Sequence, residues 1–437
     1  MAFKQVRLGD YFKFEKGLGY KGEFLAEESD VALIGMDSHE EGGGYKENSE
    51  KFYTGPYKPE NVAEVGDVIF AGTEQGFGLL ASPLMVPESD KFSTYLFSGD
   101  VLKAIPLKPD EFSVEYLYNI YRVDLYRTKA AYGDSGTTVR RISNENLGEQ
   151  VVPLPDLPTQ IAINEIISLI DQQIANNKAL SRNLEALAQS LFKSWFIDFD
   201  PVLAKSKGDK PFGMDAETAS LFPSSFEKVD EEEIPVGWKV GSIKDICVQI
   251  VNGSTPYRRK SVYWENGTHF WFKTGELSDG YLIESAERIT DLATKETSVK
   301  VLPAGSVLMA IYAAPTVGRL GVLTTPSTFN QACTGMVPLE KFGTEFLYQT
   351  LFNKRDWFNE MASGAAQQNI SKAIVEECPI TIPPDEVIAA YRKQIEVMFS
   401  SIRKTVIDNQ DLNALLSSLI FDLCNGTYPE LLESIAS

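Results

Sequence analysis

The residues best suited to chemistry sit in one loop of the C-terminal half, where Asn252-Gly-Ser-Thr-Pro is followed directly by Tyr257, Arg258, Arg259 and Lys260. A Gly-Ser-Thr-Pro step marks a turn. Guanidinium forks match guanine edges and phosphates, and an ammonium matches phosphates. Taken alone, the run also suits a solvated basic turn. Lys273 follows in a Lys-Thr-Gly-Glu segment, behind the Tyr263-Trp264 pair. The N-terminal half has weaker counterparts: Tyr20 and Lys21 in a glycine-rich loop, and Tyr45 and Lys46 just after Gly42-Gly-Gly. Glycines there would let backbone approach a ligand. Thr73 and Gln75, flanking Glu74, could read a base edge or belong to a plain surface loop.

A third set of candidates is duplicated. Gly136 to Ser143 (GTTVRRIS) aligns with Gly364 to Ser371 (GAAQQNIS) at an offset of 228 residues. The first copy carries Arg140 and Arg141; the second carries Gln368 and Asn369 at the same places, with Gln367 ahead of them. Arginine suits guanine, whereas glutamine and asparagine suit adenine. The alternative is that these residues only shape the loop that enters each following proline-rich step.

Elements that must position these loops are legible from periodicity. After Pro153, Pro155 and Pro158, with Thr159 as the expected N-cap, no proline or glycine occurs before Pro201. Apolar residues recur at Ile163, Ile167, Ile170 and Ile174, then at Leu180, Leu184, Leu187 and Leu191, a coiled-coil spacing with a step near Asn177. Such a helix spans on the order of 50 Å and needs a partner of similar length. The segment after Pro383-Pro384 supplies it, with a seam at Ile388, Tyr391, Ile395, Met398, Ile402, Leu412, Leu416, Leu419 and Leu423 and a stop at Asn425-Gly426. Leu184-Glu-Ala-Leu-Ala-Gln-Ser-Leu aligns with Leu412-Asn-Ala-Leu-Leu-Ser-Ser-Leu, again at 228 residues.

Between and before the helices, short apolar runs punctuated by glycine and proline predict strands, among them Val31-Ala-Leu-Ile, Val68-Ile-Phe-Ala, Tyr95-Leu-Phe and Val101-Leu-Lys-Ala-Ile. A helix is expected over Glu115 to Arg127. Gly66-Asp-Val-Ile-Phe-Ala answers Gly305-Ser-Val-Leu-Met-Ala, and Glu115-Tyr-Leu-Tyr answers Glu345-Phe-Leu-Tyr. The expected layout is a domain over 1–152, a helix over 153–197, a polar linker over 198–234 with one short helix near Asp215 to Leu221, a second domain over 235–382, a helix over 383–426 and a tail over 427–437. The fold class is α+β: two mixed α/β domains joined by two long antiparallel helices, an intramolecular coiled coil with a pseudo-twofold internal repeat.

The proline-rich step, Gln160-x-x-Ile163-x-x-Ile166, Leu184-Glu-Ala-Leu-Ala, Leu191-Phe-Lys-Ser-Trp-Phe196 and Asp198-Phe-Asp-Pro-Val together resemble the central region of the specificity (S) subunit of type I restriction-modification systems, the HsdS family. The resemblance covers nearly the whole chain. Its Gly-Ser-Thr-Pro loop, Tyr-Trp pair and Lys-Thr-Gly-Glu segment also resemble that family's target recognition domains. The resemblance implies a non-catalytic subunit that reads one half of a bipartite double-stranded DNA site with each domain, the helices acting as a ruler. It further implies two methyltransferase (M) subunits using S-adenosylmethionine, and motor-nuclease (R) subunits using ATP and Mg. For docking of these partners the expected surface is the helix pair, including Leu184, Leu187, Leu191, Phe192, Trp195, Phe196, Leu412, Leu415 and Leu419. The aromatic residues in that set could equally pack against the recognition domains.

Composition bounds this reading. No methyltransferase Asn-Pro-Pro-Tyr segment, no phosphate-binding G-x-x-x-x-G-K-[ST] loop and no metal-ligand spacing occur, so catalytic, cofactor and metal residues are expected to be absent. Four scattered cysteines suit reduced thiols, and His39 and His269 read as polar loop residues. The absence of any long apolar run predicts a cytoplasmic protein without membrane contact. The net charge of −20 runs against nucleic-acid binding. It favours the rival reading, an acidic DNA mimic or coiled-coil scaffold that binds methyltransferase subunits without reading DNA.

Overall fold

The computed structural model describes residues 3–46, 48–74, 78–131, 140–229, 232–312, 316–363 and 369–427. Its two largest elements are single helices of 40 residues each, Leu157–Phe196 and Asp385–Cys424. The first starts two residues before Thr159, because Asp156 is the capping residue: its carboxylate accepts from the Thr159 amide at 3.1 Å. Pro158 is tolerated since a first-turn residue needs no amide donor. The second helix stops where expected: Gly426 is left-handed (φ 72°) and the Thr427 amide returns to the Asp422 carbonyl at 2.9 Å.

Contacts divide the chain into two compact units, one formed by Met1–Ala175 with Gln410–Ser437 and the other by Asn176–Asn409. Each long helix therefore contributes to both, which a linear reading of boundaries does not anticipate. In the first unit Ile163, Ile167 and Ile174 share a core with Leu416, Ile420 and Leu423. In the second, Phe192 and Trp195 pack on Tyr391, Ser181 lies 2.6 Å from Thr405, and the Asn177 amide donates to Asn409 at 2.9 Å. Steps of four along one helix are matched by steps of four back along the other, so this pairing is antiparallel.

These contacts correct the expected seam. No step occurs at Asn177; the 3-4 spacing runs on from Ile174 through Asn177, Ser181, Leu184 and Ala188 to Phe192. Leu180 and Leu187 are instead 46% and 52% exposed. Small polar side chains hold the seam because each finds a partner directly across it, and such pairs favour one register over its neighbours.

The two units repeat one plan. In the first, strands Phe12–Lys16, Val101–Pro106, Val68–Ala71 and Pro83–Met85 lie side by side in that order; in the second, Cys247–Asn252, Cys333–Pro338, Val307–Ala310 and Leu320–Leu323 do so, followed by Gly280–Leu282. In each unit a separate two-stranded ladder ties an early strand of the domain to the strand preceding a long helix, Lys4–Arg7 with Val151–Leu154 and Lys239–Ser242 with Pro379–Ile382. The helix expected over Glu115 to Arg127 is broken at Val123 into Val114–Arg122 and Asp124–Ala131. Its counterparts are Gly343–Asn353 and Arg355–Ser363.

Residues 198–234 hold the short helix expected near Asp215 to Leu221 and more besides. They form the helices Asp200–Ser206 and Ala216–Ser220 and the hairpin Phe226–Val229 with Glu232–Pro235. Val202, Phe222 and Ile234 are fully buried in the second unit's core, with Phe222 edge-on to Trp195 at 5.1 Å. A few large anchors suffice, since each buried aromatic removes a large apolar area from water. Cys333, Cys378 and Cys424 are buried, Cys247 partly so, and all four are free thiols whose pKa burial pushes up to about 12. Among the described residues no helix is long and apolar enough to cross a membrane.

Candidate nucleic-acid interface

Each unit builds its candidate site from the same pinned turn. Gly17 ends the Phe12–Lys16 strand so close to Phe97 that a Cβ would lie 1.9 Å from the Phe97 carbonyl oxygen. Gly253 ends the Cys247–Asn252 strand in the same way, with a Cβ placed 2.1 Å from the Asn330 carbonyl oxygen. Only glycine allows that approach. From this pin the chain runs out to Lys21 in one unit and Lys260 in the other, each just ahead of a short 3-10 turn.

In the second unit the loop folds into a cation cluster. The Arg258 guanidinium sits in the corner of two perpendicular indoles, 3.9 Å from the Trp264 ring centre and 4.6 Å from that of Trp271. It also forms a two-pronged ion pair with Glu287, one prong at 3.2 Å. Lys273 reaches the same carboxylate at 2.8 Å. The Arg258 hydrogen bond, followed by that of Lys273, holds the Glu287 carboxyl below the usual range. Lys260 pairs with Glu296 at 2.7 Å and donates to the Tyr263 hydroxyl at 2.7 Å; the Glu296 bond is the first cause of its raised pKa. Tyr257 is 65% exposed and Arg259 is exposed without an ion pair to any described residue.

The first unit gathers its candidates as a strip. Thr73 bridges to Arg141 in antiparallel fashion, and Arg140 pairs with Glu74 at 3.3 Å. Lys16, Thr73, Asp100 and Arg141 line a cavity of about 30 Å³, and the buried Thr73 hydroxyl has no hydrogen-bond partner among the described residues. Asp100 also borders a second cavity of about 80 Å³ with Tyr20, Asp37 and Lys51, where Lys51 donates to the Tyr20 hydroxyl at 3.3 Å. Lys21 is exposed, 3.6 Å from Glu23.

Residues 2–186 and 235–416 match the family model described as the type I restriction modification DNA specificity domain. The chain belongs to this family. Among curated relatives, the type I restriction enzyme HindI specificity subunit of Haemophilus influenzae is 26% identical over 330 residues, 66% of this chain and 71% of the relative. The MjaIX specificity subunit of Methanocaldococcus jannaschii is 23% identical over 326 residues, 70% of this chain and 68% of the relative. The crystal structure of a type I restriction-modification S subunit from M. genitalium shares the fold with TM-score 0.54 at 13% identity, covering 96% of both chains.

The repeat of the specificity domain also orders the duplicated loop. In the first copy the Ile142 amide donates to Gly72 at 2.9 Å; in the second the Ile370 amide donates to Ile311 at 3.0 Å. Ser143 and Ser371 then cap the helices Asn144–Gly148 and Lys372–Glu376. Arg141 and Asn369 thus stand at matching positions, Arg141 exposed and Asn369 half-buried. Gln75, Gln367 and Gln368 lie outside the described residues.

Two expectations change. The glycines before Tyr45 approach the domain's own side chains: a Cβ on Gly43 would meet Arg122 and Pro83, and the Gly42 carbonyl accepts from Arg127 at 3.4 Å. Tyr45 itself bonds to Glu50, and Lys46 is exposed; neither lines the two cavities. Phe192, Trp195 and Phe196 are 2%, 3% and 4% exposed, so this helix end faces its own unit's core and not a partner. Leu187 and Leu415 are 52% and 54% exposed; Leu184, Leu191, Leu412 and Leu419 are partly buried. Glu287 is not legible in the sequence, because only folding brings it to Arg258 across 29 residues.

His39 is a further correction. It is 3% exposed, its ring nitrogens lying 3.0 Å from the Gly35 carbonyl and 3.3 Å from that of Ile69. Burial lowers its pKa to about 4, against those two bonds. Among the described residues no group of three or more His, Cys, Asp or Glu is placed to hold a metal ion.

Proposed function

We propose that this chain is the non-catalytic DNA specificity subunit of a type I restriction-modification complex, each specificity domain reading one half of a bipartite double-stranded site. The observation that carries this is a pair of matched frames presenting different side chains at equivalent places, Arg141 against Asn369 and Lys16 against Asn252. One frame repeated would read one sequence twice; altered readers on it suit two different half-sites. The long helix pair sets the spacing. Two methyltransferase subunits carry S-adenosylmethionine and dock on exposed positions of the helices, Leu187 and Leu415 among them. Motor-nuclease subunits carry ATP and Mg, and the complex works in the cytoplasm. Phosphate contacts come largely from these partners, in keeping with a net charge of −20.

The test is co-expression with the methyltransferase subunit of the same genome, followed by mapping of methylated adenines. A split motif with an undefined gap, seen only when this chain is present, is the expected result. A stable complex that adds no methylation would overturn the reading in favour of a scaffold.

A further inference from the structure

Every cation in the second unit's cluster except Arg259 is already held by a carboxylate of the same unit, and Glu287 holds two of them. Its position is built by backbone. The Trp271 amide donates to the Glu287 carbonyl at 3.1 Å, and the adjoining Ala286 amide donates to Glu276 at 2.7 Å. The backbone of Glu287 is thereby fixed beside the loop, and its carboxylate is held there by the two cations it pairs with. Any acceptor on DNA must compete with it for the outward donors of Arg258 and the ammonium of Lys273.

We propose that Glu287 is a specificity-determining residue: it occupies Arg258 and Lys273 in the free chain and yields them to a rigidly placed acceptor, not to phosphates met in arbitrary register. The inference rests on the DNA-reading function above. A two-pronged carboxylate is a close mimic of a phosphate or of a guanine edge in its demand on a guanidinium. An acceptor in the right place replaces both prongs, whereas one that engages a single donor breaks more than it makes. The Trp264 and Trp271 rings keep the guanidinium in its plane during the exchange. Glu287 thus weakens random binding more than it weakens binding at the correct half-site. Lowered non-specific affinity is then a property of this loop, beyond what overall charge supplies.

The experiment compares the full-length chain with Glu287→Gln and with Glu377→Gln, a control that removes one exposed carboxylate paired with Lys244 outside the cluster. Fluorescence anisotropy is read across a salt series on a labelled random duplex and on a duplex carrying the mapped site. Glu287→Gln is expected to bind the random duplex roughly 3- to 10-fold more tightly, with a steeper salt slope and a smaller ratio between the two duplexes. Glu287→Asp, which keeps the charge but withdraws it, should fall between wild type and Gln, and covers the case in which Gln disturbs the loop. Weaker binding of Glu287→Gln to both duplexes would make Glu287 a brace for Arg258 and overturn the inference. A gain equal to that of Glu377→Gln would reduce it to net charge and also overturn it. If the wild-type chain binds neither duplex at low salt, even when assembled with the methyltransferase subunits, it is the DNA-reading function that fails.

Discussion

The two specificity domains share a backbone frame and differ most in the loops and side chains that the frame presents. Both have the pinned glycine, the same order of four strands, the serine-capped short helix and the ladder that leads into a long helix. Between the glycine and the lysine ahead of the 3-10 turn, however, three residues stand in the first domain and six in the second. The longer loop is what allows Arg258 to reach the two indoles. A second difference is internal. After strands Val31–Ile34 and His269–Phe272 comes the same 3-10 turn, yet it ends on buried His39 in one domain and buried Leu277 in the other. The frame thus tolerates exchange of apolar for titratable groups where two carbonyls are at hand, and exchange of loop length where nothing packs.

The glycine pins offer the hardest test of this equivalence. Gly17→Ala and Gly253→Ala each push a methyl into a carbonyl oxygen, and each should cost its own domain about 3 kcal/mol or more. All five tryptophans (Trp195, Trp238, Trp264, Trp271 and Trp357) lie within Asn176–Asn409, so tryptophan fluorescence in urea reports the second unit. Gly253→Ala should lower that transition and Gly17→Ala should not. Equal effects of both variants on the fluorescence would break the picture of two separate frames.

Acid should distinguish the units next. The folded-state pKa of His39 is about 4, below its ordinary 6.5, so the unfolded chain takes up a proton first. The stability His39 permits is present above pH 6.5 and is lost as pH falls towards 4, at about 1.4 kcal/mol per unit and about 3 kcal/mol in all. His39→Leu should remove this pH dependence from the first unit's unfolding, followed by circular dichroism. If the wild type and His39→Leu lose stability in parallel over that range, His39 is not the group that titrates.

The smallest expected effects sharpen the comparison at the reader positions. Arg258→Ala should cost DNA binding about 1 to 3 kcal/mol and relax only one half of the mapped motif. Arg141→Ala should relax the other half. Adenine mapping with each variant checks this, and relaxation of the same half by both would contradict the assignment of one half-site to each domain.

Much of the frame was legible before folding, for a physical reason: helices and strands leave periodic marks, and duplicated letters such as Ile142-Ser143 and Ile370-Ser371 leave an offset. The seam around Asn177 was misread because leucines at Leu180 and Leu187 look more apolar than asparagine and serine. Only a partner across the helix pair makes the polar residues the better fit. In the segment 198–234 the short helix near Asp215 is legible and the burial is not, because burial depends on three anchors, Val202, Phe222 and Ile234, in a mostly polar stretch.

Sequence alone determined the family, the two long helices, the internal repeat and the loop richest in cations, since each rests on local spacing or on similarity between segments. Tertiary structure alone decided which leucines face solvent, that Phe192, Trp195 and Phe196 belong to a core, that His39 is buried, and that Glu287 holds Arg258. Those outcomes depend on groups far apart in the chain meeting in space. No local pattern encodes a carboxylate 29 residues from its guanidinium, because the energy that pairs them exists only once the strands between them have formed.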